Sequence, residues 1–491
     1  MGSQRLRLDR NCLKRQIPPP RPIFQVLLTL TWAQWAQFLV GWFSWFCDCF
    51  DTVVLPLSVI GLTQTFGKST QEITLAITLS QILRPVGALV AGILSDRFGR
   101  KWPMFFVLIF VGIVQIAAGF IDNFNHFLVL RAVYGIGLGG VWSIAHSTAL
   151  ENLPVELRGV AGAIITQANG VSFIVGAVIS MTMVQRVAVG WRVLFWISGG
   201  STLLAAGTRL LVPESDVFLA AQDRERKVIR GDGKATSQWT KTGIFLKQMR
   251  RMLEVHWVSL IYSSLLVMAL KFLYHGSQDL YPTFLQETKK FTPRDADIAT
   301  IIANCGAISG GSLSGLISQF VGRRLTMIMC IILAAAFIPL CVLPSSFAAL
   351  AAGAFFVQAG ALGALGVVPV FLSEISPPAF RATFGGLVYN VANAIAGTSA
   401  PIETAAGKFK IKGNEAKVLP NYTTVQGLFI GISAACSLLF VLFSPENHGS
   451  HFENHKVAYE EDDEANAMDV QSCKTGERES RSDPIKSEVV D

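Results

Sequence analysis

Charged residues are scarce in this chain. They form 15% of its 491 residues, while hydrophobic residues form 51%, and a soluble domain carries about 25% charged residues. An ordinary soluble fold is therefore excluded. The charge is also unevenly placed. Residues 445–491 hold 13 acids and 5 basic residues, a net of −8; since the whole chain has a net charge of +7, residues 1–444 carry +15.

Motifs for ATP hydrolysis, metal binding and covalent catalysis are also missing. No glycine-rich phosphate loop ending in Lys-Ser/Thr occurs, which argues against an ATP-driven pump. No nucleophile elbow stands out, and the eight cysteines have neither metal-ligand nor disulfide spacing. We therefore expect neither an enzyme nor a metal, a cofactor or a nucleic-acid partner.

Long apolar stretches dominate what is present. A helix of about 20 apolar residues crosses the hydrocarbon core of a bilayer. The sequence predicts twelve such spans, near 36–61, 72–95, 102–121, 126–148, 158–184, 193–212, 256–284, 297–318, 325–343, 347–373, 381–404 and 425–444. The chain thus reads as six spans, a polar loop and six further spans.

Five parts follow from this pattern. They are a basic N-terminal segment (1–33), a six-helix bundle (34–212), a central loop (213–254), a second six-helix bundle (255–444) and an acidic tail (445–491). The tail has few aromatic residues and is predicted to be disordered.

Lysine and arginine concentrate in loops that fall on one side of a twelve-span chain. The N-terminal segment holds six of them before the first span, and the central loop holds nine. Positive loops remain in the cytosol, so we expect a multi-pass protein of the cell membrane with both termini cytosolic. The sequon at Asn421 then lies outside and predicts N-glycosylation there.

Two halves of the chain repeat at one offset. The segment Gly92–Lys101 matches Gly315–Arg324 with a shift of 223 residues. The same shift relates the residues that bracket two further loops: Glu151 and Arg158, then Glu374 and Arg381. This duplication predicts an all-α membrane fold of twelve transmembrane helices in two pseudo-symmetric six-helix bundles, with a site between them.

The repeated loops carry charges that can pair when one face of the bundle closes and separate when it opens. A static surface ion network is the alternative. The predicted gating residues are Asp96, Arg97, Arg100, Glu151, Arg158, Glu374 and Arg381. Gln319 replaces the acid in the second half, so we expect a weaker latch there.

Charges inside apolar spans are costly and usually serve a function. Lys271, His275 and Asp279 are four residues apart and share one helix face in span 7. A histidine beside an aspartate can exchange a proton near neutral pH. This predicts proton coupling, with a buried polar network that only holds helices together as the alternative. Asp48 and Asp51 in span 1 are further candidate proton acceptors.

These motifs resemble a known family. The Gly92–Lys101 segment is similar to the loop 2–3 signature of the major facilitator superfamily. Span 7 resembles fungal Jen-type carboxylate permeases and the wider sialate:proton symporter family. The residues that match are His275, Ser277, Gln278, Asp279 and Thr283. Lys271 and Tyr274 depart from the pattern, and both could alter the substrate or the proton coupling.

Substrate-binding candidates complete the prediction. Arg84 can hold a carboxylate in a bidentate manner; an ion pair with Asp48 or Asp51 is the alternative. The resemblance implies Asn390 and Asn393 in span 11. The remaining candidates are Gln278 and the repeat partner of Asn390, Gln167. His146, by contrast, is expected to be a loop contact near the cytosolic end.

The sequence therefore predicts a monomeric, proton-coupled symporter. It would carry an organic acid anion such as lactate or pyruvate by alternating access. A carrier or exporter of another acid, such as a dicarboxylate, and a non-transporting sensor are the alternatives.

Overall fold

The computed structural model describes residues 23–68, 70–184, 190–215, 218–220, 222, 238–279, 281–376, 380–399, 402–403 and 422–444. The predicted tail, most of the N-terminal segment and Asn421 lie outside the described residues. The α-helices are α1 (Ile23–Thr29), α2 (Trp32–Phe66), α3 (Thr70–Phe98), α4 (Lys101–Ala118), α5 (Phe124–Gly139), α6 (Val141–Leu150), α7 (Val155–Ile179), α8 (Arg192–Leu211), α9 (Gln238–Gln278), α10 (Tyr281–Glu287), α11 (Pro293–Val321), α12 (Arg323–Val342), α13 (Phe347–Ile375), α14 (Arg381–Ala396) and α15 (Tyr422–Leu442).

Local sequence explains where several helices begin. The Thr31 side chain accepts from the backbone N–H of Gln34, whose own side chain accepts from Thr31, and this capping box starts α2. Thr292 and Asp295 form the same reciprocal pair at the start of α11. Gly67, with φ of 61°, ends α2 in the left-handed region that glycine adopts without strain.

Ten helices or helix pairs among the described residues are long and apolar enough to span a bilayer. Helices α8 and α14 complete the two bundles: α8 packs against α4, and α14 packs against α3 and α9. The predicted all-α fold of twelve transmembrane helices in two six-helix bundles is confirmed. In the first half these are α2, α3, α4, α5–α6, α7 and α8, and in the second α9, α11, α12, α13, α14 and α15.

Two predicted spans differ from the structure in detail. The span predicted at 126–148 is divided into two helices at Gly140, although the backbone of Gly140 stays in the right-handed helical region, with φ of −78° and ψ of −23°. Helix α9 starts at Gln238, well inside the stretch predicted as a polar loop, and ends at Gln278 rather than at 284.

The repeat is visible in the helix boundaries. Helix α3 covers 70–98 and α11 covers 293–321, and both differences (293 − 70 and 321 − 98) are 223. Helices α5 and α13 begin at Phe124 and Phe347, again 223 apart. The internal duplication predicted from loop motifs therefore extends to the transmembrane helices.

The two bundles meet along α3–α14 and along α11–α7, which are equivalent in the repeat. A Cβ on Gly92 would lie 2.7 Å from Thr383 Cα, and one on Gly315 would lie 2.2 Å from Ala163 Cβ. Both glycines occupy matched positions of the repeated motif. Each therefore permits the close helix contact that joins the halves.

Candidate transport site

A small cavity lies between the two bundles and is lined by residues of both. The lining residues are Trp45, Trp142, Thr166, Asn169, Lys271, Tyr274, Leu362, Leu365, Pro369 and Tyr389. The space open to the centre of a water-sized sphere is about 10 Å³, which holds about one water molecule. The cavity is therefore tightly closed around its polar groups in this conformation.

Lys271 is the charged group of the cavity. It is 4% exposed, and its Nζ donates a 2.7 Å hydrogen bond to the hydroxyl of Tyr389. The ammonium also lies 4.4 Å from the centre of the Tyr389 ring. These contacts orient the cation, but a neutral hydroxyl does not balance its charge.

Two carboxylates that interact electrostatically with Lys271 already have basic partners. Lys271 interacts electrostatically with Asp48 and Asp279. Asp48 is 3.6 Å from Arg84, and Asp279 is 3.2 Å from His275. Among the described residues, no carboxylate lies within 4.0 Å of the Lys271 ammonium. A buried cation that lacks a carboxylate partner can take one from an anionic ligand.

Aromatic rings form the walls around this cation. Trp142 stacks on Tyr389 with ring centroids 4.1 Å apart and an interplanar angle of 7°. Trp45 meets Tyr389 edge-on at 6.0 Å. Tyr274, the second departure from the family pattern, donates a 2.7 Å bond to Asn169 across the interface between the halves. The site thus combines one cation with flat apolar surfaces.

The other predicted substrate residues do not line this cavity. Asn390 donates to the carbonyl of Gly139, the last residue of α5. Asn393 donates to Gln81 of α3 at 2.8 Å. Gln167 donates to Ala163 one turn earlier, and Gln278 reaches Asn304 at 3.5 Å. Asn390 and Asn393 therefore join the two halves beside the cavity.

Arg84 has the ion pair that was the alternative to substrate binding. Its guanidinium lies 3.6 Å from Asp48 and donates to the Thr52 hydroxyl at 2.8 Å. Arg84 and Asp48 are both buried. Asp51, one turn further along α2, accepts a 2.9 Å bond from Thr202 of α8 instead.

His275 and Asp279 form a contact at the end of α9. The imidazole Nδ1 is 3.2 Å from an Asp279 oxygen, and Ser399 donates to Asp279 at 3.4 Å. The two side chains are 21% and 31% exposed. Both are therefore more exposed than Lys271, which lies four residues before His275 and eight before Asp279 on the same helix.

The gating residues of the first half form a connected network. Arg100 binds Glu151 at 2.8 Å and Asp96 at 3.3 Å. Burial alone lowers the pKa of Arg100, but the carboxylates of Glu151 and Asp96 outweigh it and raise this pKa. Asp96 also accepts bonds from the Thr383 backbone and hydroxyl, at 2.9 and 2.7 Å, which places the carboxylate on the N-terminus of α14.

The second half repeats this arrangement with an amide. Arg323 binds Glu374 at 3.0 Å, and Gln319 accepts a 3.2 Å bond from the backbone N–H of Gly159 at the start of α7. The contacts of Asp96 with Thr383 and of Gln319 with Gly159 thus join the two bundles at the face predicted to be cytosolic.

The other predicted gating residues make separate contacts. Arg158 donates to the Leu153 carbonyl. Arg97 lies over the ring of Phe98, and the buried Arg381 interacts electrostatically with Glu151.

Sequence reasoning missed much of the cavity. Trp45, Trp142, Thr166 and Asn169 gave no signal beyond being ordinary residues of apolar spans. Tyr389 stood beside Asn390 in the span 11 pattern. Thr166 is its repeat partner, since 389 − 166 is 223.

The expectation for His146 was wrong. It is no loop contact: it is buried in α6, with its ring 4.4 Å from that of Trp142, because the helix runs past the predicted end of the span.

A family model described as the Major Facilitator Superfamily matches residues 41–401. The chain belongs to the major facilitator superfamily. It is therefore a multi-pass membrane transport protein and not an enzyme.

Curated relatives and solved structures agree with this assignment. A Saccharomyces cerevisiae protein named as a carboxylic acid transporter homologue is 29% identical over 414 residues, covering 82% of this chain and 67% of that protein. The sialic acid transporter NanX of Escherichia coli is 25% identical, covering 74% and 84%. The structure of the proton:xylose symporter XylE superposes with a TM-score of 0.67 at 17% identity, covering 86% and 98%, and supports the fold. The resemblance to Jen-type permeases and to the sialate:proton symporter family is confirmed.

Proposed function

We propose that this protein is a proton-coupled symporter of short-chain carboxylic acids such as lactate or pyruvate. Two relatives named for acids support an organic acid substrate. The single observation that carries the proposal is Lys271, a buried cation in a cavity between the halves that has no carboxylate partner in the described part of the chain.

The charges around the cavity favour a monocarboxylate. Asp48, Arg84 and Lys271 interact with one another and together carry a net charge of +1 when all are ionised. One carboxylate neutralises this cluster. It would accept from the ammonium of Lys271 and from the Tyr389 hydroxyl, while the aliphatic part of the acid contacts Leu362 and Leu365.

Proton coupling follows from the Asp48–Arg84 pair in this mechanism. Protonation of Asp48 would release Arg84, which then becomes a second cation for the substrate carboxylate. His275 and Asp279 would pass protons between solvent and the interior, since they are partly exposed and lie on the helix of Lys271. Arg84 therefore serves the ion pair and the substrate in turn.

Alternating access would proceed by opening the side of the protein that is closed in this conformation and closing the opposite side. The networks around Arg100 and Arg323 hold the predicted cytosolic side together, so this conformation would be closed on that side. Separation of Asp96 from α14 and of Gln319 from α7 would open it. The protein would act as a monomer in the cell membrane with both termini in the cytosol.

The test is uptake of labelled lactate in a host that lacks its own carriers, at about pH 5 and about pH 7.5. Uptake above the empty host shows acid transport, and a higher rate at the lower pH supports proton symport. Equal rates at both pH values would contradict proton coupling, while no uptake of any acid would contradict the function itself.

A planar aromatic acid is the second candidate substrate. The parallel stack of Trp142 and Tyr389 favours it, because a flat ring can replace one of these contacts. A competition panel of lactate, a dicarboxylate and benzoate against labelled lactate separates the candidates. Strong competition by benzoate alone would assign the site to aromatic acids.

A further inference from the structure

Glu403 is a buried acid that the mechanism above leaves unused. It is 1% exposed, and its Oε1 has no hydrogen-bond partner among the described residues. No described basic side chain lies within 4.0 Å of the carboxylate. Removing a carboxylate from water without a cation is expensive, and such a group takes up a proton instead.

The position of Glu403 connects it to the proton groups of α9. The Glu403 Oε1 lies 3.2 Å from the place where a Cβ on Gly276 would stand, so the acid packs directly against the backbone of this turn; the Phe429 ring, 2.4 Å from the same place, is what requires glycine there. Gly276 directly follows His275, and Glu403 interacts electrostatically with Asp279. Two acids and an imidazole therefore surround one turn of α9.

Other polar groups at this turn cannot neutralise a second negative charge. Gln426 of α15 donates its amide to the Gly276 carbonyl at 3.3 Å, and Ser399 donates to Asp279. Neither group titrates near neutral pH. Lys271 lies one turn deeper and is directed to Tyr389. Among the described residues, the titratable groups facing Glu403 are thus Asp279 and, through it, His275.

We propose that Glu403 is a proton-binding residue of the transport cycle and forms a proton relay with Asp279 and His275. This deepens the proposed symport and rests on it. In the closed conformation Glu403 carries the proton as a neutral acid. When this end of α9 opens to water, the Glu403 O–H bond breaks and Asp279 accepts the proton, which His275 then exchanges with solvent.

The neutral amide Glu403→Gln imitates the protonated state and separates proton coupling from substrate movement. We expect the variant to retain exchange of labelled for unlabelled lactate across the membrane. Its ratio of internal to external lactate at acid pH falls to about 1 or below, because an uncoupled carrier only equilibrates the lactate anion with the membrane potential. Lactate-driven alkalinisation of the medium is lost together with accumulation.

Matched variants complete the test. Glu403→Asp retains the titrating group and should restore part of the accumulation. Glu72→Gln neutralises an acid in a partly exposed pair with Lys68 and should accumulate lactate as the wild type does. Accumulation by Glu403→Gln at the wild-type level would overturn the proposal. So would loss of exchange in both Glu403 variants, because Glu403 would then serve only packing. Absence of lactate uptake in the wild type would instead refute the proposed function.

Discussion

The two halves of the molecule close one face with the same geometry but different chemistry. In the first half a carboxylate, Asp96, accepts from the backbone of α14. At the equivalent place in the second half the amide of Gln319 accepts from the backbone of α7. The contacted residues are themselves repeat partners, because Ala382 donates to Asp96, Gly159 donates to Gln319, and 382 − 159 is 223. A charged acceptor binds a helix N-terminus more strongly than a neutral one. We therefore expect the contact at Asp96, the first latch, to be stronger than the contact at Gln319, the second latch.

The same asymmetry occurs at the cavity. Asp48 and Lys271 occupy equivalent positions, since 271 − 48 is 223, yet they carry opposite charges. Asp48 is paired with Arg84, while Lys271 donates to the neutral hydroxyl of Tyr389. The two halves therefore have matched positions whose side chains have diverged: the first half has an internal ion pair, and the second has a buried cation bonded to a neutral hydroxyl.

Removal of the unpaired cation should have the largest effect. Lys271→Met retains much of the side-chain volume and eliminates the charge. Loss of one partner from a buried charge pair costs about 2–5 kcal/mol, so lactate affinity should fall by about 30-fold or more. Uptake measured over a range of lactate concentrations gives this value. Lys271→Arg is the matched control that retains the charge, and an unchanged KM in Lys271→Met would place the substrate elsewhere.

We expect Asp96→Asn to weaken the latch at Asp96, because the substitution keeps the shape of the side chain and removes its charge. Hydrogen bonds to charged groups contribute about 1.5–3 kcal/mol, so the backbone N–H of Thr383 should exchange with deuterium about tenfold faster or more. Exchange measured by mass spectrometry on the purified protein checks this. Unchanged exchange at the start of α14 would contradict a latch at Asp96.

The weaker latch can be made to resemble the stronger one by Gln319→Glu. Arg323 lies 3.3 Å from the Gln319 oxygen and can accommodate the new charge. We expect a gain of about 1 kcal/mol, seen as exchange about fivefold slower at Gly159 and as slower transport. Faster transport in this variant would mean that the latch does not limit the cycle.

The smallest effect is expected from Trp142→Leu. Leu365 is the repeat partner of Trp142, 223 residues further on. The substitution therefore gives the first half the residue that the second half has at this cavity position. Loss of one aromatic pair costs about 0.5–1.5 kcal/mol. The inhibition constant of benzoate against lactate uptake should rise by about twofold to tenfold, with lactate affected less. An equal effect on both acids would argue against stacking as the basis of selectivity.

Much of the architecture could be predicted because it depends on patterns along the chain. Hydropathy indicated the spans, and the fixed offset indicated the duplication. The paired loop charges were also recognisable, since Asp96, Arg100 and Glu151 stand in repeated motifs, and their role as gates stays a prediction. The division of span 4 into α5 and α6 at Gly140 was not predicted, because two glycines within a small-residue-rich span do not by themselves reveal a helix end.

The cavity was predicted only in part because its walls come from six helices that are distant in sequence. Lys271 was singled out for its charge, but nothing local indicated that Tyr389 and Trp142 would lie beside it. The partner of Arg84 remained open between Asp48 and Asp51, one turn apart on α2, until the tertiary structure placed Asp48 beside it and Asp51 beside Thr202.

The most direct test of a substrate held by Lys271 between the halves is a structure of the purified protein with a bound lactate or benzoate. We expect the carboxylate within hydrogen-bond distance of Lys271 Nζ and the Tyr389 hydroxyl, with the body of the acid against Trp142. A carboxylate bound by Asn390 or Asn393, with Lys271 still directed only to Tyr389, would contradict this site.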